Sequence, residues 1–183
     1  MNKQTLVAIL AGIAAVLAGL LVYRGLFFQP QIVSAPQPSP SLQQAQKTLT
    51  PAEIRLKDLS GQTRQLSDWN SSVKIVNFWA PWCAPCRKEI PALIATQERY
   101  PQVQILGFSF DSLENVENFR KDYAFNYPLL LVGEQSYAIN QAFGNTSSAL
   151  PYTVILNDRQ EIVFSHHGEI SQHQLESALK VHL

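Results

Sequence analysis

The alternation of apolar and polar positions changes character twice along this chain. From Thr5 to Tyr23 there is no charged residue, and Leu, Val, Ala, Ile and Gly follow one another almost without a break. As a helix these 19 residues would be roughly 29 Å long, about the thickness of a bilayer's hydrocarbon core. The run shows no polar face, which speaks against a helix packed on a soluble core. Residues 29–48, QPQIVSAPQPSPSLQQAQKT, then carry four prolines, several glutamines and serines and few apolar side chains. Such a segment cannot bury a core and reads as an extended linker.

From Leu49 onward strand and helix periodicities alternate. VKIVNFW, Val73 to Trp79, is β-branched and aromatic and predicts a buried strand. Residues 84–99 predict a helix with Ile90, Leu93 and Ile94 on one side and Pro91 placed to bend it. VQILGFSF, Val103 to Phe110, predicts a second strand. Ser112 is positioned to cap a helix carrying Leu113, Val116, Phe119 and Tyr123 at helical spacing. A short strand in PLLLV, a short helix over Gln135 to Ala142, a hairpin of YTVIL with EIVFS, and a final helix from Ser171 complete the pattern. A small hairpin is expected around Ser60-Gly61. Strand–helix–strand units followed by a hairpin and a helix predict an α/β domain: a mixed sheet with helices on both faces. The expected organisation is thus a membrane anchor over 1–28, a linker over 29–48 and one domain over 49–183.

Charge alters this picture little. The chain of 183 residues has 14 basic and 14 acidic side chains, with no basic run, which argues against nucleic-acid binding. Lys3 lies before the apolar run and Arg24 after it, a weak bias toward a cytoplasmic amino terminus. Val33-Ser34-Ala35 has the small-residue pattern of a signal-peptide cleavage site. The apolar run exceeds the usual ~7–15 residues, however, and that site lies well past its end, so an uncleaved anchor is expected. Either reading exports the domain.

Candidate chemistry concentrates in FWAPWCAPCRKEIP, residues 78–91, which holds the only two cysteines, Cys83 and Cys86. Cys83 falls at the start of the predicted helix. Unpaired N–H groups and the helix dipole favour a negative sulfur there, by up to ~2 kcal/mol, a pKa lowered by roughly 1.5. Cys83 is thus expected to attack a partner's disulfide and Cys86, one turn on and more enclosed, to resolve the mixed disulfide. Pro85 suits the first turn of a helix, where its missing donor costs little. Trp79, Pro81 and Trp82 are expected to shield the thiols and offer an apolar docking surface. Half a zinc site and a purely structural crosslink are the alternatives. The four histidines, His166, His167, His173 and His182, lie near the carboxyl end, and none forms a second close pair with metal spacing.

WCAPC after the VNFWA strand resembles the thioredoxin superfamily, in particular its membrane-anchored, extracytoplasmic TlpA/ResA-like disulfide reductases. SFDS, YPLLL and ALPYTVILND extend the resemblance over roughly residues 50–180. It implies a thioredoxin-like fold with an amino-terminal hairpin, and a cis peptide bond between Leu150 and Pro151. That loop would leave Leu150's backbone free to pair with an extended partner. It also implies that the redox group is the Cys83–Cys86 pair itself, with no cofactor or metal. The implied substrates are disulfides of selected proteins, of the cytochrome c maturation or oxidase metal-site type, and the implied electron donor is a membrane reductase of the DsbD or CcdA type. The implied location is the bacterial cytoplasmic membrane, with the domain outside the cytoplasm. The acid that cytoplasmic thioredoxins carry under the active site is replaced here by Asn77, which cannot shuttle a proton. Glu89 is the nearest carboxylate in sequence to Cys86, and it reads either as a solvated helix residue or as that missing acid. A copper-binding assembly factor using His166 or His167 is the alternative function, although such proteins of this fold typically space their cysteines more widely.

Overall fold

A computed structural model describes residues 2–27 and 49–183. They fall in two compact units, Met1–Gln46 and Lys47–Leu183. The first contains one helix, α1 (Lys3–Phe27), whose described side chains from Ile13 to Arg24 are exposed. Among the described residues no helix is long and apolar enough to cross a membrane. The side chains described from Ile13 onward cover about 18 Å of α1. The linker expected over 29–48, with its cleavage-site pattern, lies outside the described residues.

The second unit is built on one mixed sheet. Its strands are β1 (Leu56–Asp58), β2 (Thr63–Arg64), β3 (Val73–Trp79), β4 (Val103–Ser109), β5 (Leu129–Leu131), β6 (Tyr152–Leu156) and β7 (Ile162–His167), in the spatial order β2-β1-β5-β4-β3-β6-β7. β3, β4 and β5 are parallel; β6, β7 and the β1–β2 hairpin run antiparallel to their neighbours. The parallel pairs explain the sequence pattern. A strand covered on both faces is mostly apolar, and every residue of β3 is buried, Lys74 and Asn77 included. The hairpin turns at Gly61, whose φ of +84° is costly for any residue with a Cβ.

Helices cover both faces. α2 (Ala84–Arg99), α3 (Leu113–Phe119) and α5 (Gln172–Leu179) bury Ile90, Leu93, Val116, Leu175 and Leu179 in one layer with Ile75, Ile105 and both cysteines. α4 (Ser136–Ala142) buries Ile139 in the opposite layer, beside Val76, Phe78, Phe108 and Phe143. Ser112 caps α3 by accepting the Asn115 N–H, and Ser171 caps α5 by accepting that of Gln174. Two details differ from the sequence expectation. α3 stops at Phe119 and tightens into a single 3-10 turn, so Tyr123 lies beyond the helix. β7 extends to His167, taking both histidines into the sheet.

Candidate active site at the start of helix α2

Cys83 is the residue that caps α2. Its backbone is extended (φ −79°, ψ 105°), and the Cys86 N–H donates to its Sγ at 3.3 Å. Its carbonyl accepts the Arg87 N–H at 3.2 Å, so the helix ladder starts on Cys83 itself. A sulfur here thus occupies the place a serine or aspartate oxygen fills in an ordinary cap, facing the unpaired donors and the positive end of the dipole. Cys83 and Cys86 are joined as a disulfide with their Cα atoms 5.3 Å apart. Cys83 is 5 % exposed and Cys86 fully buried, so a partner can reach only the first.

The neighbours divide by exposure. Trp82 is 66 % exposed and stands beside the pair as an apolar surface. Pro85 occupies the first turn of α2 and is exposed, as are Arg87 and Lys88. Trp79 contributes nothing to that surface: it is buried against Phe119 and Phe125, at ring distances of 5.4 and 5.6 Å. It packs in the same buried layer as both cysteines, so it covers them from within the core but forms no part of the expected docking surface.

Glu89 is the largest departure from the plain sequence reading. It is not a solvated helix residue but is 1 % exposed. One turn beyond Cys86 on α2, it shares that residue's buried face. Its Oε1 accepts from Asn77 Nδ2 at 2.7 Å, and its Oε2 accepts from the Ile170 N–H at 2.9 Å. Asn77 Nδ2 also donates to Thr153 Oγ1 at 3.0 Å. Burial pushes the Glu89 carboxyl up to about 7, and nearby Glu169 adds to this, while the Ile170 and Asn77 donors hold it back. Burial, reinforced by the charge of Glu89, raises Tyr127 as well. Asn77 carries no exchangeable proton of useful acidity, yet it places a carboxylate that does.

Thr153 and the Ile170 N–H escaped the sequence reading. One signal was available: Asn77 and Thr153 are polar residues inside buried strands, and a buried polar group must find a partner.

The Leu150–Pro151 bond is cis. Phe78 pairs with Tyr152 across β3 and β6, so Pro151 lies beyond that pair, at the end of β3 from which the cysteine turn departs. Pro151's carbonyl accepts the Gly168 N–H, and half-buried Leu150 packs against the layer that holds both cysteines. The structure therefore gathers Trp82, Cys83, Pro85, Cys86, Glu89, Leu150 and Pro151 at one end of the central strands. The histidines are engaged separately: the His167 ring lies 4.5 Å from that of Tyr152, and His166 Nε2 is 3.2 Å from the Glu169 carbonyl. Among the described residues no three His, Cys, Asp or Glu side chains group as metal ligands.

Residues 48–165 match the AhpC/TSA family. The chain is 31% identical to the thioredoxin-like protein YneN of Bacillus subtilis over 132 residues, which cover 69% of this chain and 75% of that one. It is 27% identical to the thiol-disulfide oxidoreductase ResA of Bacillus subtilis over 169 residues, 89% of this chain and 86% of that protein. A thioredoxin-related protein from Neisseria meningitidis serogroup B superposes with a TM-score of 0.64 at 30% identity, over 69% of this chain and 96% of that one.

Proposed function

The chain belongs to the AhpC/TSA family and is a ResA-like member of the thioredoxin superfamily, and from that premise we propose that it reduces disulfides of selected proteins outside the cytoplasm. It is a thiol-disulfide oxidoreductase. The observation that carries the division of labour is the Cys86 N–H aimed at Cys83 Sγ, with Cys83 slightly exposed and Cys86 sealed beneath it.

In the reduced enzyme the Cys83 thiolate attacks one sulfur of the partner's disulfide. The partner's other sulfur leaves as a thiolate and takes a proton from solvent. Cys86 then gives its proton to Glu89 and attacks Cys83 Sγ. The second partner sulfur departs as a thiolate and takes up a proton from solvent, to which Glu89 returns the proton it received. Two electrons and two protons pass to the partner, and Cys83–Cys86 closes. Glu89 suits the proton step because its carboxyl is poised near neutrality. Trp82 and the Leu150–Pro151 edge receive the partner's chain, and Pro85 fixes the turn between the sulfurs.

The uncharged run from Thr5 to Tyr23 supports a single-pass anchor with the amino terminus in the cytoplasm, and the proline-rich segment 29–48 supports a tether holding the domain above the membrane. A location at the bacterial cytoplasmic membrane suits a donor of the DsbD or CcdA type and substrates such as apocytochrome c or oxidase metal-site cysteines. The test is capture in the native membrane. Cys86→Ser should accumulate mixed disulfides through Cys83, and Cys83→Ser should capture none. Capture by Cys83→Ser alone would reverse the two roles, and capture by neither would remove the reading.

A further inference from the structure

Within Lys47–Leu183, Trp82 and Tyr137 are the only Phe, Tyr or Trp side chains among the described residues that stand more than half exposed, Tyr137 at 75 %. They come from distant parts of the chain, the cysteine turn and α4, yet both line one open groove of about 440 Å3. Phe110 and Leu150 complete its apolar lining, and Ser136, Asn140 and Ser148 its polar one; no charged side chain takes part.

The groove is held open by design of the fold. Asn145, fully buried, donates through Nδ2 to Asn140 Oδ1 at 2.8 Å and to the Ala149 carbonyl at 3.0 Å. Its N–H donates to the Asn140 carbonyl at 2.8 Å, and its carbonyl accepts the Ser148 N–H at 2.9 Å. These bonds lock α4, which bears Tyr137, to the loop that bears Ser148 and Leu150. The Tyr152 hydroxyl adds a further tie at 2.9 Å to the Phe143 carbonyl, just past α4. A braced α4 and Leu150 loop give up little backbone freedom when something fills the space between Tyr137 and Trp82.

We infer that this groove selects the partner: it receives a large apolar side chain, aromatic foremost, carried on an uncharged extended segment next to the cysteine that Cys83 attacks. Trp82 and Tyr137 supply ring faces for such a side chain while keeping their polar atoms near water. The absence of charge in the lining disfavours an acidic or basic side chain, which would lose hydration there without gaining a partner. The inference rests on the reading of Cys83 as the sulfur that meets the partner, since that fixes which segment of the partner lies over the groove. On this view Tyr137 is a specificity-determining residue on an element that carries none of the redox chemistry.

The experiment uses the reduced full-length protein in detergent and three disulfide peptides that differ only in the residue beside the cysteine: Phe, Ala or Asp. 2-Hydroxyethyl disulfide serves as a probe without side chains. The second-order rate constant should be about tenfold higher for the Phe peptide than for the Ala peptide, a typical gain for an apolar group in an apolar site, and lowest for the Asp peptide. Tyr137→Ala should bring the Phe/Ala ratio near one, and Tyr137→Phe should keep it. Equal rates for Phe and Ala peptides in the unmodified protein, or an intact preference in Tyr137→Ala, would overturn the inference while turnover of 2-hydroxyethyl disulfide left the oxidoreductase reading standing. Failure to reduce any of the four would remove both.

Discussion

Asn77 and Phe78 are neighbours on β3, and they point into opposite layers of the domain. On Phe78's side the packing around the ring is aromatic and aliphatic. Its ring lies 5.7 Å from Phe108, 5.3 Å from Phe143 and 5.6 Å from Tyr152, and Val76, Leu106 and Val154 fill the space around them. On Asn77's side the same strand buries an amide, a carboxyl and a hydroxyl among Ile75, Trp79 and the two cysteines. An interior built only for stability would resemble the first layer everywhere, because every buried polar group must recover its lost hydration. The second layer bears that cost where a proton has to move. One strand thus supplies rigidity from one face and chemistry from the other.

Substitutions on each face should therefore fail differently. The largest effect on stability is expected from the apolar side: Phe78→Ala removes a fully buried ring and should cost about 3–5 kcal/mol. Denaturant unfolding measures this, and the pH dependence of disulfide exchange should keep its shape. A shifted pH profile would mean that the two layers are not independent.

Glu89→Gln should do the reverse. An unfolded glutamate ionises near 4.5, whereas Glu89 in the fold holds its proton to about 7. Between those values folding takes up a proton, so its contribution to stability is full at low pH, falls as pH rises through that window and is flat above it. Across the window the unmodified protein should lose about 3 kcal/mol relative to Glu89→Gln, seen by denaturation over a pH series. The carboxylate is the form that accepts the Cys86 proton. Resolution of the mixed disulfide should accordingly accelerate as pH rises through about 7 in the unmodified protein, and that limb should vanish in Glu89→Gln.

Thr153→Val is the mildest of the three. It keeps the shape of a fully buried side chain and removes one acceptor from Asn77 Nδ2. The expected cost is about 1 kcal/mol, with a small upward shift of the acid limb, because a looser Asn77 holds the Glu89 charge less well. An unchanged limb would show that Asn77 needs no support from β6.

Much of the domain was legible before any tertiary information. The apolar run of β3, the helix opening at Cys83, the caps at Ser112 and Ser171 and the turn at Gly61 follow from interactions within a few residues, and the chain displays them directly. The cysteine pair was legible for the same reason: its spacing is one helical turn. Trp79 was legible only in part: it lies in the layer of the cysteines, but sequence proximity to Cys83 says nothing about whether a ring ends buried or at the docking surface.

What the sequence by itself determined is therefore local: where strands and helices begin, and that a sulfur caps α2 with another one turn behind it. The tertiary structure decided that Glu89 is buried, since its partners lie 12 and 81 residues away at Asn77 and Ile170. It also decided that Tyr137 and Trp82 share a groove. Burial and encounter at such separations depend on which faces of distant elements pack together, and no interaction within a few residues of Glu89 or Tyr137 carries that information.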